Sequence, residues 1–79
     1  MPDESWTILR LVNWTTEFLK KKGAESPRLD AEVLLAHVLE CPRVKLYTGY
    51  DEAVGERDRS AYRELVRRRS EGAPVAYLV

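Results

Sequence analysis

The chain has 79 residues, 44% of them hydrophobic and 33% charged, and its thirteen Lys plus Arg balance thirteen Asp plus Glu. That is one domain's worth of sequence, too apolar for disorder, with no apolar run near the roughly 18 residues that a membrane helix needs. With no net charge there is no overall field to draw in nucleic acid or an anionic membrane.

One cysteine, Cys41, rules out an internal disulfide, and with one histidine it leaves no thiolate and imidazole set for zinc. The N-terminus lacks the basic-then-apolar layout of a signal peptide, so the cytoplasm is the expected compartment. A chain this short buries only about 60% of its unfolded surface, and its core is worth roughly 3–5 kcal/mol.

Ile8, Leu11, Val12, Thr15, Phe18 and Leu19 recur at spacings of three and four, one face of an amphipathic helix expected over residues 5 to 22. Ser5 is its expected N-cap, Lys20 to Lys22 complement its exposed carbonyls as a solvated end, and Gly23 closes it in the left-handed conformation. Trp6 and Trp14 read as core or rim aromatics.

The second helix opens with Ser26 as N-cap and Pro27 at the first helical position, where its missing N–H costs nothing. Asp30 and Glu32 sit near its positive end. Val33, Leu34, Leu35, Ala36, Val38 and Leu39 then cover most of its circumference, which in a water-exposed protein means that other helices surround it. His37 reads as a packed or half-exposed residue, and Cys41 as a small buried hydrophobe.

Pro42 stops that helix, and Arg43 to Tyr47 can form a short one that turns Val44, Leu46 and Tyr47 toward the core. A loop follows at Thr48 to Asp51. The fourth helix is expected from Glu56 to Glu71, with Ala61, Tyr62, Leu65 and Val66 as its apolar stripe, a Glu64–Arg68 pair on its surface and Gly72 as its stop. Arg67, Arg68 and Arg69 cannot all point one way. Pro74 can then start a further turn that carries Val75, Ala76, Tyr77, Leu78 and Val79 onto an apolar surface.

The expected fold is therefore all-α, a small bundle of four to five helices with the second one central. No catalytic constellation can be assembled from these residues: there is no glycine-rich phosphate loop, no paired His or Cys set and no triad around His37. From physics alone, the chain binds or positions something.

Two stretches carry a family resemblance. Glu25-Ser-Pro-Arg-Leu-Asp-Ala-Glu-Val-Leu-Leu-Ala-His-Val-Leu39, followed by Arg68-Arg69-Ser-Glu-Gly72-Ala-Pro74-Val-Ala-Tyr77-Leu-Val79, resembles the N-terminal domain of the PrmC/HemK family, the protein-(glutamine) methyltransferases of translation release factors. The resemblance spans nearly the whole chain. It implies that residues 1–79 form a helical substrate-binding domain joined to a Rossmann-like catalytic domain that uses S-adenosylmethionine. That enzyme would methylate the glutamine of the Gly-Gly-Gln motif in class I peptide chain release factors.

The family's Asn-Pro-Pro-Tyr motif and glycine-rich cofactor loop do not occur here, so no catalytic, cofactor or metal residue is carried over, and the chain is expected to stop at the domain boundary. One departure is Gly55, where family members often cap the fourth helix with Ser or Thr. Arg68, Arg69, Pro74 and Tyr77 are the expected contacts with a partner or with the catalytic domain, and the domain itself is expected to be a monomer. A free-standing helical adaptor is the alternative reading; a helix-turn-helix nucleic-acid module is disfavoured by zero net charge and the lack of a basic recognition stripe.

Overall fold

A computed structural model describes residues 6–79 as five helices in the order α1 (Ile8–Lys21), α2 (Pro27–Leu39), α3 (Val44–Thr48), α4 (Glu56–Ser70) and α5 (Val75–Leu78). No strand occurs among the described residues; the only pairing of that kind is an isolated bridge between Thr7 and Ala53. Helix α2 packs against all four of the others. The all-α bundle with a central second helix is the fold expected from the apolar run Val33–Leu39.

The first turn of α1 is satisfied from a distance. The segment from Tyr50 to Val54 lies across the start of the helix, where the Glu52 carbonyl accepts from Ile8 N at 3.0 Å and the Tyr50 carbonyl from Leu9 N at 3.0 Å. Thr7, the N-cap, accepts from Arg10 N at 3.2 Å through its side chain, and its carbonyl takes Leu11 N. The N–H groups of Ile8, Leu9 and Arg10, which have no acceptor within the helix, thus all have partners, and Leu11 N makes the first intrahelical bond. The helix begins at Ile8, three residues later than the start expected at residue 5, and Ser5 lies outside the described residues.

Three helices end in one device. In each, a residue with positive φ follows the last turn, and the next N–H reaches back to the sixth carbonyl: Gly23 (φ 91°) with Ala24 N to Leu19 O, Glu40 (φ 57°) with Cys41 N to Ala36 O, and Gly72 (φ 110°) with Ala73 N to Arg68 O. This is the Schellman closure. At Gly23 and Gly72 it is the stop that the sequence announced, whereas Glu40 adopts the left-handed conformation with a full side chain.

Val12, Leu19, Ala31, Leu34, Leu35 and Leu46 form the floor of the core, each at most 1% exposed. Burying a Val or Leu completely is worth about 1.5–3 kcal/mol, so these residues dominate what a small bundle can gain. Val38, expected to lie with Leu34 and Leu35, is only half-buried, as is Cys41.

Helix α3 places Leu46 in the core but leaves Val44 and Tyr47 exposed, against expectation. At about 100° per residue, Val44 lies some 200° around from Leu46, and a helix of five residues has only one buried edge. On α4 the stripe narrows in the same way: Tyr62 and Val66 are buried and Leu65 half-buried, while Ala61 is exposed.

Candidate interaction surface

The bundle presents three polar or aromatic regions built from side chains of different helices. The first surrounds Glu32, a carboxylate on α2 that is only 5% exposed. Tyr47 donates from its hydroxyl to Glu32 Oε1 at 2.8 Å, Arg28 Nε lies 3.3 Å from Oε2 and Arg43 Nε lies 3.7 Å from Oε1. Arg28 extends the network by donating to Asn13 Oδ1 at 3.0 Å and to the Tyr50 hydroxyl at 3.4 Å.

A buried carboxylate is tolerated when it is paired and hydrogen-bonded, and this one is. The bond to Glu32 holds the Tyr47 phenol above its ordinary pKa. In sequence Glu32 had a sufficient explanation at the positive end of a helix; the signal passed over was a carboxylate inside an otherwise apolar run, with arginines four residues before and eleven after. The network ties α1, α2, α3 and the following loop together.

The second region joins α4 to α2. Arg69 Nε lies 3.0 Å from Asp30 Oδ2, with side-chain exposures of 23% and 13%. Arg67 faces outward between Glu64, at 2.5 Å, and Glu71, at 2.7 Å. The surface pair expected at Glu64–Arg68 therefore forms at Glu64–Arg67, because a planar guanidinium three residues after one acid and four before another can serve both. These carboxylates favour the cationic guanidinium, and Arg67 in turn holds the Glu64 carboxyl below its ordinary range. Arg68 is exposed.

Beyond Gly72 the chain turns at Pro74 into α5. Leu78 is buried at 7% exposure and anchors the helix on α2 and α4, while Tyr77 stands 82% exposed and Val79 52%. Of the four residues singled out in sequence, Arg68, Pro74 and Tyr77 lie on the surface at this end of the bundle, and Arg69 is taken up by Asp30.

The third region is a groove of about 370 Å³ between α1 and α4, walled by Trp6 and Trp14 and floored by Leu11, Tyr62 and Val66. Trp14 stacks on Phe18 with ring centroids 5.1 Å apart. Among the described residues no cluster of His, Cys, Asp and Glu has the makings of a metal site, and no helix is long and apolar enough to cross a membrane.

A compact helical bundle in which every buried polar side-chain atom among its described residues is paired defines a small all-α domain. Its sequence places it more narrowly. The family model described as the PrmC N-terminal domain matches residues 10–79, and the chain belongs to that family.

Its relatives include the release factor glutamine methyltransferase of Rhodopirellula baltica, 62% identical over 77 residues, which cover 98% of this chain and 26% of the relative. The enzyme of the same name from Leptospira interrogans is 47% identical over 72 residues, 91% of this chain and 25% of the relative. That of Geobacter sulfurreducens is 38% identical over 76 residues, 96% of this chain and 27% of the relative. The chain spans about a quarter of the length of these curated relatives. No solved structure gives a significant match to it.

Proposed function

We propose that residues 1–79 are the substrate-positioning domain of a release factor glutamine methyltransferase, acting in the cytoplasm on class I peptide chain release factors. The observation that carries this reading is α5. Leu78 pins the helix to the bundle and Tyr77 and Val79 project from it, in a chain whose relatives are about four times as long. An exposed apolar surface of that kind commonly marks a contact. In this reading Tyr77, Pro74 and the neighbouring Arg68 form the seam with the catalytic domain, and the bundle holds the bulky protein substrate so that one glutamine reaches the reacting centre. Positioning of this sort converts an encounter into a first-order step.

S-adenosylmethionine supplies the methyl group in such an enzyme, and the residues of this chain do not fit it. The glycines that could bring backbone close to a nucleotide serve helix ends instead. Gly23 and Gly72 close α1 and α4 and Gly55 caps α4, each with open space where a Cβ would stand, while Gly49 follows α3 against Glu52. We assign the cofactor and the methyl transfer to the remaining three quarters of the parent.

The test is made in the full-length parent. Tyr77→Ala or Arg68→Ala should lower methylation of an intact release factor more than methylation of a short Gly-Gly-Gln peptide. Equal loss on both substrates would mean that the seam acts through folding of the enzyme, and the positioning role would be wrong. The isolated domain should show no saturable heat with S-adenosylmethionine in calorimetric titration; micromolar binding would overturn the assignment of the cofactor to the rest of the parent.

A further inference from the structure

The groove between α1 and α4 has a chemistry of its own. Its floor is Leu11, Tyr62 and Val66, 9%, 2% and 4% exposed, and Trp14 stands beside them 54% exposed. A large aromatic left half in water next to a buried apolar floor is the kind of exposed apolar surface that commonly marks a contact.

Its rim is cationic. Arg59 is fixed there by donating from Nη1 to the Val54 carbonyl at 2.8 Å. Arg63, one turn along α4 and lining the same groove, has no carboxylate partner among the described residues. Arg10 lies with its guanidinium carbon 4.4 Å from the centroid of the Trp6 ring, which forms the end wall. Glu64 in α4 and Glu71 just beyond its end are engaged elsewhere, both with Arg67.

The groove is also separate from the proposed seam. Helix α5 packs on α2 and α4, and neither α5 nor α2 contributes a residue to the groove's lining, which comes from α1, α4 and Trp6.

Resting on the positioning role above, we propose that this groove is where the protein substrate docks, and that its occupant is an acidic segment of the release factor with an apolar face. The apolar side chains of that segment lie between Trp6 and Trp14, and its carboxylates meet Arg59 and Arg63. Aromatic and arginine side chains around a desolvated centre are the composition of an interface hot spot, and the arginines also steer an acidic partner onto the face.

The 79-residue chain and a purified class I release factor are titrated in a calorimeter at low and high salt. The wild-type chain binds, with affinity falling as salt rises. Arg63→Glu and Trp14→Ala, both at exposed positions and both checked for an unchanged melt, raise Kd at least tenfold, while Tyr77→Ala on α5, outside the groove, leaves it within twofold. Wild-type binding that survives both groove variants within twofold overturns the groove and leaves the positioning role standing. No binding by the wild-type chain overturns both. A single-stranded RNA that binds the chain, displaces the release factor and loses its own affinity with Arg63→Glu would show the groove to be a nucleic-acid site and would also overturn the proposal.

Discussion

Arg69 reaches from the last turn of α4 to Asp30 in the first turn of α2, a 3.0 Å contact between residues 39 apart in sequence, both largely shielded from water. Its neighbours in the arginine triplet do nothing similar: Arg67 is bound within α4 and Arg68 faces solvent. Three identical side chains in a row thus have three different roles, set by the 100° step of the helix.

This difference is measurable. Removing one partner of a shielded ion pair leaves the other charge uncompensated, so Arg69→Ala should cost about 1–3 kcal/mol. Arg68→Ala should stay within about 0.5 kcal/mol, as surface substitutions do. For a domain of this size 1 kcal/mol moves the midpoint by about 4–8 °C, so thermal melts of the two variants should separate clearly. Equal midpoints would mean that the Asp30 contact contributes nothing to folding.

A second prediction comes from Glu40, the described non-glycine residue with positive φ. A side chain in the left-handed region costs energy that glycine avoids, and α2 ends there in the same closure that glycine makes for α1 and α4. Glu40→Gly should therefore stabilise the domain by about 0.5–1 kcal/mol, even though glycine enlarges the unfolded ensemble. Urea midpoints with an unchanged slope would measure it; a lower midpoint would show that Glu40 holds its conformation without strain.

Glu40 also marks where the sequence stopped being informative. The ends at Gly23 and Gly72 were legible because glycine names the conformation, whereas α2 ends on a residue that gives no such signal and was delimited only by Pro42. The start of α1 was misplaced for a related reason. Its first N–H groups are satisfied by carbonyls of Tyr50 and Glu52, more than 40 residues away, and no local pattern encodes that. Leu34 and Leu35 were readable as core from periodicity, but Val44 and Tyr47 were not readable as exposed, since an apolar residue in a one-turn helix carries no phase. The candidate surface divided in the same way. Tyr77 at the seam stood out as an apolar residue in an unusual place, while the tryptophan groove depends on how far apart α1 and α4 lie, a quantity fixed by packing through α2.

Leu35 tests the centre of the bundle. It is fully buried on the helix that touches all the others. Leu35→Ala should cost about 2–5 kcal/mol through lost transfer energy and the cavity left behind. That matches the whole stability of roughly 3–5 kcal/mol that a core this small provides, so the variant should be largely unfolded at room temperature by far-ultraviolet circular dichroism. A cooperative melt displaced by only a degree or two would show that neighbouring side chains collapse into the space.

The last prediction concerns alkaline pH. Tyr62 is 2% exposed and donates from its hydroxyl to the Ala31 carbonyl at 3.0 Å, joining α4 to α2. Burial pushes its phenol well above the ordinary value near 10, the hydroxyl of Thr15 opposes that to a smaller degree, and the charge of Glu32 adds to it. A phenol whose folded pKa is raised keeps its proton in the native state while the unfolded chain loses it. Its contribution is therefore fully present below pH 10 and declines as pH rises beyond that value. Tyr62→Phe removes both the bond and the titration. The variant should be about 0.5–1.5 kcal/mol less stable at neutral pH, because the Ala31 carbonyl loses its side-chain donor. Its stability should then fall less steeply than that of the wild type above pH 10, so that the two curves converge. Urea unfolding of both proteins at pH 7, 9, 10 and 11 gives the comparison. Parallel curves across that range would mean that Tyr62 titrates in the folded state as it does in the unfolded chain, and the linkage argued from its burial would fail.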